Sequence, residues 1–524
     1  MTQQACIVSN LSLELAQLIH FDSLCFQLPL HQFTGLIGCN GQGKSLLMSL
    51  LHEQTKFKLP YSGQISWQCP HQYLAQLQRV QADTIAQALH IEVLYQCFKR
   101  IQHGTAAFAD YDQVEHLWHL PTEWQQLLQS ADLPIDLDTP IQHLSEGQKT
   151  KLALCRLFLL KDHYLLLDEP SNHLDTRGRE WLIQQMSQHP TGGLIISHDR
   201  QLLAHVQGIF MLNQFGIHYY GGNYALYKQQ HQTQVEALSQ TVQQEKRELK
   251  QLKEQQYQSQ MKAQKRKKTG EKLRTSGSQA PILLDAKKEQ SEQSLSHLRK
   301  QQSKQLADAK DELQQKQIQL EHLKSQSFEF AHIARKSGEI LRCHQLQLAY
   351  AKTNPIDLAI KAGEKLHLRG ANGTGKSSLL KTLQGLIPPL TGEVYCKVTS
   401  TYLDQRLSLL DDTISALEYL QLIDSELIEQ QGRTLLGNLQ IRRDKALMPI
   451  STLSGGERLK VALLALKQQT VELLLLDEPE NHLDIESREL LAQAIRSFNG
   501  AVILVSHDET FVEACGMTTP YVLT

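Results

Sequence analysis

The sequence predicts a mixed α/β protein that contains two similar domains separated by a long helical segment. The stretch Leu144–Asp175 occurs again in related form as Leu453–Asp484. Each copy is preceded by a glycine-rich loop, and the region between the two halves is rich in Gln, Lys and Glu. Internal repetition of this kind indicates two copies of one fold on a single chain.

Length and composition favour a globular protein with several domains. The chain has 524 residues, which is too long for one hydrophobic core, and 41% of them are hydrophobic and 21% charged. The net charge of −2 gives no global reason to expect binding to nucleic acid or to a membrane, so such binding would require a local basic patch.

The cysteines and the apolar runs indicate the cellular compartment in which the protein is expected. The nine cysteines include no C-x-x-C pair, which argues against a zinc or disulfide framework and fits the reducing cytosol. The N-terminal residues lack a basic segment followed by an apolar run, so no secretory signal is expected. The apolar runs are far shorter than the roughly 20 residues that span a bilayer. We therefore expect a soluble, cytoplasmic protein.

The two copies keep the same spacing between their polar residues. Intervals of 23 and 30 residues separate Ser145, Asp168 and His198 in the first copy, and Ser454, Asp477 and His507 in the second. The apolar run before Asp168 and the run before His198 are typical of buried strands. Because these runs alternate with helical patterns, they indicate a parallel sheet covered by helices.

Each half contains the phosphate-loop pattern Gly-x-x-x-x-Gly-Lys-Ser, at 38–45 and at 370–377. The first loop lies between a short apolar strand and a helical pattern, which is the context that such a loop requires. Its backbone N–H groups form an anion nest, the lysine reaches the β- and γ-phosphates, and the serine ligates Mg²⁺. The predicted nucleotide-binding residues are Gly38, Asn40, Gly41, Gly43, Lys44 and Ser45 in the first loop, and Gly370, Asn372, Gly373, Gly375, Lys376, Ser377 and Ser378 in the second.

An acidic pair ends a buried strand in each half. The aspartate of each pair is placed to help hold Mg²⁺, often through water, and the glutamate to polarise an attacking water. A histidine after the next strand is placed to contact the γ-phosphate. The predicted catalytic residues are therefore Glu169, Glu478, His198 and His507. The predicted metal contacts, some through water, are Ser45, Gln76, Asp168, Ser377, Gln405 and Asp477.

The LSEGQ and LSGGE motifs require a different explanation. Ser454–Gly456 opens a helix and so offers a hydroxyl and a positive helix end to an anion. Because each half already holds its phosphates in its own loop, we expect the motif to cap the γ-phosphate held by the other half. ATP would then join the halves head to tail, and hydrolysis would release them. The predicted contacts are Ser145, Gly147 and Gln148, and Ser454, Gly455, Gly456 and Glu457.

The middle of the chain predicts a helical hairpin. Apolar residues follow a heptad frame in two stretches, with a break at 276–281, so we expect an antiparallel coiled coil whose arms reach on the order of 60 Å. The predicted domains are 1–222, 223–336 and 337–524. A basic cluster before the break is interpreted as a contact for a phosphate backbone rather than a solvated face; it contains Lys262, Lys265, Arg266, Lys267, Lys268, Lys272 and Arg274.

The region 83–138 of the first half is expected to be mainly helical. It carries about 20 residues more than the matching region of the second half. Two interpretations stay open: a longer insert of loop and helix, or an arm that binds a partner.

The motifs together resemble those of an ATP-binding cassette protein: Walker A, Q-loop, signature, Walker B with a catalytic glutamate, D-loop and switch histidine, each present twice. With the EPSNHLD and EPENHLD forms and the long charged linker, the chain resembles the ABC-F family. Members of that family are not transporters. They bind the ribosome, typically at the tRNA exit site, with the linker reaching toward the P-site tRNA and the peptidyl-transferase centre.

The resemblance implies an ATPase that uses ATP and Mg²⁺ and acts on the ribosome in translation regulation, rescue or ribosome protection. It implies contact of the basic cluster with rRNA and tRNA, and a monomer whose two cassettes pair with each other. Adenine stacking maps onto Tyr350 and, with a weaker alignment, onto Phe21.

Two residues depart from the family pattern. Glu146 stands in the first signature where the family usually has Gly, and it would either weaken the site that contains Lys376 or point away from it. Glu480 stands in the second D-loop where the family usually has Thr or Ser, and its effect on the coupling between cassettes is open.

Two other functional classes are possible from the sequence. Tandem cassettes also occur as the ATPase subunit of membrane importers, but a transporter ATPase has no use for a long basic hairpin. A DNA-repair ATPase could use the hairpin as a strut, although the modest arm length and the absence of zinc-spaced cysteines argue against this class.

Overall fold

The computed structural model describes residues 3–523 except 16–17, 53–59, 76–81, 173, 214, 276–280, 324–327, 329, 331–337, 351–353, 371–372, 405–406, 442 and 482. Most side chains between residues 269 and 299 also lie outside the description. The chain divides into two compact units. One combines Met1–Ala225 with Gln326–Thr524, and the other is Leu226–Ser325.

The first half of the larger unit contains nine strands and eight helices among its described residues. The strands are β1 (Gln4–Leu15), β2 (Leu18–Pro29), β3 (Gln32–Ile37), β4 (Tyr61–Trp67), β5 (His71–Leu74), β6 (Tyr164–Asp168), β7 (Gly192–Ile196), β8 (Gly208–Asn213) and β9 (Gly216–Gly221). The helices are α1 (Lys44–His52), α2 (Ile85–Ala88), α3 (Glu92–Gln102), α4 (Phe108–Val114), α5 (Leu120–Ser130), α6 (Glu146–Phe158), α7 (Thr176–Gln188) and α8 (Arg200–Leu203).

The smaller unit consists of two helices, and the second half of the larger unit follows them. The long helices are α9 (Tyr224–Thr275) and α10 (Pro281–Leu323). The second half contains the strands β10 (Glu339–Gln347), β11 (Ile356–Lys361), β12 (Lys365–Arg369), β13 (Thr391–Cys396), β14 (Ser400–Leu403), β15 (Leu473–Asp477), β16 (Ala501–Val505) and β17 (Thr519–Val522). Its helices are α11 (Lys376–Leu383), α12 (Ala416–Ile423), α13 (Glu429–Asn438), α14 (Gly455–Gln468), α15 (Ile485–Ser497) and α16 (Glu509–Cys515).

The predicted parallel sheet is present in each half. The strand order is β5-β6-β7-β3-β8-β9 in the first half and β14-β15-β16-β12-β17 in the second, and every pair is parallel except β8 with β9. The strands β6, β7 and β16 are buried throughout. Because parallel strands present their carboxyl ends at one edge, the phosphate loop, the acidic pair and the histidine of each half meet there.

A three-stranded antiparallel sheet accompanies each parallel sheet. Its order is β2-β1-β4 in the first half and β11-β10-β13 in the second. In the first half the two sheets and α1 share one core cluster, which includes Leu11, Leu47, Tyr164 and Phe210. Helix α1 therefore packs on a continuous apolar surface, which fixes the phosphate loop that precedes it.

The region 83–138 is mainly helical, as predicted. It contains α2 to α5, whereas the described residues of the matching region in the second half contain α12 and α13. Trp124 and Leu128 are buried. Phe108 is 91% exposed. The additional residues therefore form helices, with an apolar side chain left open to solvent.

The two long helices form the predicted antiparallel hairpin. Val242, Leu313 and Leu320 are buried in one cluster, and Lys316 forms an ion pair with Glu245. Helices joined by only five residues can share contacts this far from the connection only when they run antiparallel. With 52 residues, α9 is longer than the expected arm and spans on the order of 80 Å. No helix in the described part of the chain is long and apolar enough to cross a membrane.

The seven basic residues proposed for RNA contact all lie in α9. Lys262, Lys265 and Lys268 are exposed. The side chains of Arg266, Lys267, Lys272 and Arg274 lie outside the described part of the structure.

Candidate nucleotide-binding site

The phosphate loops turn sharply before the helices that follow them. Gly38 has φ +153°, and a Cβ atom there would lie 2.4 Å from the carbonyl oxygen of Leu212, so no other residue fits without a backbone shift. Gly41, Gly43, Gly373 and Gly375 also have positive φ. Helices α1 and α11 begin at the lysine of each loop, so the loop N–H groups and the helix N-terminus face the same space.

Both loop lysines fold back over their own loops. Lys44 Nζ donates to the carbonyl oxygens of Gly38 at 2.6 Å and Cys39 at 3.1 Å. Lys376 Nζ donates to the carbonyl oxygen of Gly370 at 2.8 Å. Both side chains are buried, and this desolvation lowers the pKa of each, while nearby carboxylates act in the opposite direction. Each cation is therefore held at the entrance of an anion-binding loop.

A tyrosine positions the strand-end aspartate in each half. Tyr73 Oη donates to Asp168 Oδ2 at 3.3 Å, and Tyr402 Oη donates to Asp477 Oδ2 at 2.9 Å. The sequence reasoning missed both tyrosines. The sequence does mark these tyrosines, because the pattern Tyr-Leu-x-Gln occurs in both halves and ends at Gln76 in one and at Gln405 in the other.

The surroundings of Asp168 fit Mg²⁺. Burial raises the pKa of Asp168, and hydrogen bonds from Ser45 and Tyr73 oppose the rise. Its Oδ1 atom is buried and accepts no hydrogen bond in the protein. A buried carboxylate oxygen without a partner, beside a serine hydroxyl, is the oxygen donor set that Mg²⁺ takes together with phosphate and water. Among the described residues there is no cluster of three or more His, Cys, Asp or Glu side chains that could hold a metal ion.

The glutamate and the histidine lie together in both halves. The Oε1–Nε2 distance is 3.4 Å between Glu169 and His198, and also between Glu478 and His507. Both glutamates have positive φ, +51° and +47°, a conformation that non-glycine residues adopt rarely and that concentrates at functional sites. The same uncommon backbone at both copies indicates that the turn serves to aim the carboxylate.

Burial sets the protonation of the first pair. Burial raises the pKa of Glu169 to about 7, while Arg488 from the other half opposes the rise. Burial lowers the pKa of His198, and the charges of Lys44 and Arg488 act in the same direction. His198 is therefore a neutral imidazole at neutral pH, and Glu169 has the pKa expected of a general base.

Each signature serine caps the helix that follows it. The Ser145 and Gln148 side chains cap α6 reciprocally, as do Ser454 and Glu457 at the start of α14. Gly456 is buried, and a Cβ atom there would lie 2.4 Å from Ser487 Oγ, so glycine allows α14 to approach α15. Gly147 and Gly455 lie in the first turns of their helices.

Glu146 is 78% exposed at its side chain and forms an ion pair with Lys149 at 2.8 Å. Of the two outcomes expected for this residue, the structure shows a carboxylate directed to solvent and to a neighbouring lysine. Its charge is partly compensated by that lysine.

The two halves meet through polar contacts on the side of the first phosphate loop. Asn40 N–H donates to Asp484 Oδ2 at 2.9 Å, and Cys39 Sγ lies 3.5 Å from Glu486 Oε2. Arg488 Nη1 donates to the carbonyl oxygen of His198 at 3.2 Å. The start of α15, directly after the second D-loop, therefore packs against the phosphate loop and the switch histidine of the other half.

A polar cavity of about 90 Å³ lies between the halves. Both predicted catalytic glutamates line it, together with Arg179, Arg488 and the D-loop residue Glu480. Glu480 is buried and accepts a hydrogen bond from Ser506, and burial raises its pKa to about 7. The two D-loops thus share one enclosed space with the two glutamates.

Some of the predicted contact residues lie outside the described part of the chain, and the others differ in exposure. Gln76, Asn372 and Gln405 lie outside the described residues. Tyr350 is 80% exposed, as a residue that stacks on a base requires, whereas Phe21 is 2% exposed within the first core and presents no open ring face. Ser377 and Ser378 lie in the first turn of α11.

Comparisons with known proteins agree with this geometry. The family model described as ABC transporter matches residues 21–172 and 353–481. YdiF of Bacillus subtilis (strain 168), named as an ATP-binding protein, is 32% identical over 390 residues, which cover 72% of this chain and 54% of that protein. ABC transporter F family member 2 of Arabidopsis thaliana is 28% identical over 519 residues, covering 91% of this chain and 70% of that protein.

A solved structure shares the fold. It is the archaeal ribosome recycling factor aABCE1 in complex with the ribosomal stalk protein aP1, with a TM-score of 0.51 and 17% identity, covering 98% of this chain and 87% of that one. Cassettes of the matched family are ATPases. With two cassette matches on one chain and a full set of cassette motifs in each, the chain belongs to the ATP-binding cassette family and, within it, to the ABC-F group.

Proposed function

We propose that this protein hydrolyses ATP at two composite sites formed head to tail between its cassettes, and that it acts on the translating ribosome. The first site would combine Lys44, Ser45, Asp168, Glu169 and His198 with Ser454–Gly456. The second would combine Lys376, Ser377, Asp477, Glu478 and His507 with Ser145–Gly147. The contact of Asn40 with Asp484 is the observation that carries the pairing, because it joins the phosphate loop of one cassette to the D-loop end of the other.

The residues of the first site divide the chemistry between them. The loop N–H groups and Lys44 hold the phosphates, and Ser45 and Asp168 would hold Mg²⁺, whose positive charge offsets that of the phosphate oxygens. Glu169 lies beside His198 and accepts the proton of the attacking water. Neutral His198 can donate or accept a hydrogen bond at the γ-phosphate without adding charge. The signature helix of the second cassette supplies a second set of N–H donors.

ATP then acts as the ligand that favours the closed pair of cassettes. Each nucleotide would contact both cassettes, so its binding energy depends on closure, and loss of the γ-phosphate removes contacts with the signature. The protein is in this proposal a clamp that closes with ATP and opens after hydrolysis.

The hairpin supports the ribosome as the target. Its basic cluster brings seven cations and one acidic residue together on a chain whose net charge is −2. The described lysines of the cluster are exposed, as contacts with phosphate require. A structural relative with a similar fold is a ribosome recycling factor. Action on ribosomes, with rRNA and tRNA as the contacts, would place the protein in the cytoplasm.

Sedimentation tests the ribosomal part of the proposal. The variant Glu169→Gln with Glu478→Gln, which should remain closed on ATP, is added to cell lysate with ATP and Mg²⁺ and resolved on a sucrose gradient. We expect it to migrate with ribosomes, and to do so less when the seven basic residues of the hairpin are changed to Gln.

The matched control changes seven Lys or Arg residues elsewhere on α9 and α10, which should leave migration unaltered. A protein that stays at the top of the gradient would contradict ribosome binding. Recovery instead with a membrane complex would support a transporter subunit, and preference for duplex DNA would support a repair ATPase.

A further inference from the structure

The repeat assigns counterparts to the residues that follow the signature in each cassette. Between the signature and the switch histidine the two copies align without a gap, so Asp175 corresponds to Asp484 and Arg179 to Arg488. These two positions carry the same residues in both cassettes. They permit the same contacts at either site, and they cannot distinguish one site from the other.

A cross-cassette ion pair has no such counterpart. Arg200 Nη2 lies 2.7 Å from Glu489 Oε1, which joins the helix after the first switch histidine to the helix after the second D-loop. Both side chains are less than one third exposed. In the alignment of the repeats, Arg200 corresponds to Glu509 and Glu489 to Glu180. The matching place at the other site therefore brings together two carboxylates, where the first site has an ion pair.

Matching residues at the two sites differ in exposure, in the direction that these charges predict. Asp484 is buried against the loop of the first cassette, whereas its counterpart Asp175 is exposed. The His198 side chain is 10% exposed, and that of His507 is 48% exposed. The side with the ion pair is closed, and the side with the two carboxylates is more open.

Glu509 and Glu180 remain solvated in this arrangement. Glu509 pairs within its own cassette with Arg369 at 2.8 Å, with its side chain 60% exposed, and Glu180 is exposed on α7. Closing the second site as tightly as the first would bring these two carboxylates into the positions that Arg200 and Glu489 occupy. Like charges at that separation repel, and the Arg369 pair compensates only one of them.

We propose that the ion pair of Arg200 with Glu489 holds the Lys44 site closed, and that the opposed carboxylates Glu180 and Glu509 make the Lys376 site the one that opens first. This inference rests on the head-to-tail ATP sites of the proposed function. It makes Arg200, Glu489, Glu180 and Glu509 positioning residues that set the order of nucleotide exchange. Nucleotide leaves the Lys376 site while the Lys44 site still joins the cassettes.

A pulse-chase measurement separates the two sites. The Glu169→Gln/Glu478→Gln protein is loaded with radiolabelled ATP and Mg²⁺, chased with unlabelled ATP, and followed by filter binding. We expect two phases of equal amplitude. Adding Lys44→Ala should remove the slow phase, and adding Lys376→Ala should remove the fast phase.

Charge variants then test the cause of the difference. Arg200→Glu should accelerate the slow phase by about tenfold and leave the fast phase unchanged, and adding Glu489→Arg should restore the slow phase. Glu180→Arg, which creates an ion pair with Glu509, should slow the fast phase several-fold, while the control Glu180→Gln should slow it less.

Three results would overturn the inference: one phase for both nucleotides, a slow phase that disappears with Lys376→Ala, or failure of the charge swap to restore the slow phase. Glu180→Arg adds a contact to an exposed position, so it tests the idea even if Arg200→Glu disturbs folding. If the parent protein retains no ATP at all, the proposed sites themselves fail, and this outcome is distinct from equal retention at two sites.

Discussion

The buried carboxyl of Glu480 should make the stability of the cassettes depend on pH. Glu480 is 3% exposed, and burial is the main cause that raises its pKa from 4.5 to about 7, against the opposing effects of Ser506 and Arg488. Its Oε2 atom accepts no hydrogen bond. Ionising this group in the folded protein therefore leaves a charge with too few partners.

The sign and the size follow from proton linkage. Between pH 4.5 and 7 the folded state binds the proton more tightly than the unfolded state, so the free energy of unfolding falls as the pH rises. The full cost, about 3 kcal/mol, is reached above pH 7. Replacing Glu480 by Gln removes the titrating group. The variant should be more stable than the natural protein by up to about 3 kcal/mol at pH 8.5, and by little at pH 4.5.

Urea unfolding gives the free energy of unfolding of both proteins at pH 8.5 and at pH 4.5. The stability difference between the two proteins at pH 8.5 is then compared with the difference at pH 4.5. Every other titrating group is common to the two proteins, so its contribution cancels. Glu180→Gln, at an exposed position, serves as the control for a Glu-to-Gln replacement. An equal stability difference for Glu480→Gln at both pH values would refute the argument that burial holds this carboxyl protonated.

Three further predictions concern the site and the hairpin. In the variant Glu478→Gln, where Glu169 is the remaining base, kcat/KM for ATP should rise with pH through about pH 7, and a profile flat from pH 6 to 8 would contradict the assignment. Tyr402→Phe removes the hydroxyl that donates to Asp477, so the Mg²⁺ concentration for half-maximal ATP binding should rise by about tenfold; an unchanged Mg²⁺ titration would show that the tyrosine does not position the carboxylate. Val242→Ala opens a cavity in the hairpin core at a cost of about 2 kcal/mol, and limited proteolysis should then cut 226–325 faster, whereas the exposed control Gln244→Ala should not change the cleavage rate.

The repeated motifs predicted the fold and much of the site because each one reports a local requirement. Phosphate loops need glycines at fixed turns, and the apolar runs before Asp168 and Asp477 are long enough only for buried strands. The heptads around Val242 and Leu313 likewise predicted two packed helices, which the structure confirms. In each case the sequence signal is a short local pattern of glycines or apolar residues.

Interactions across distant parts of the chain were harder to predict. Tyr73 and Tyr402 act through a neighbouring strand, so their role depends on sheet order, although their repetition in both halves marks them. Phe21 has the residue type for base stacking, but the antiparallel sheet buries it. The Arg200–Glu489 pair joins residues 289 positions apart, and only the paired cassettes bring them together.

The central claim is that each ATP site is shared between the cassettes. Substituting the signature serine of one cassette or the other tests this claim most directly. In the Glu478→Gln background, only the site with Lys44 and Glu169 should turn over. Adding Ser454→Arg, on the second cassette, should reduce that turnover by about 100-fold or more, because it blocks the helix end that faces the γ-phosphate. Ser145→Arg removes a matching cap on the first cassette and should reduce this turnover far less. If Ser145→Arg abolishes turnover and Ser454→Arg does not, each cassette uses its own signature and the head-to-tail arrangement is wrong.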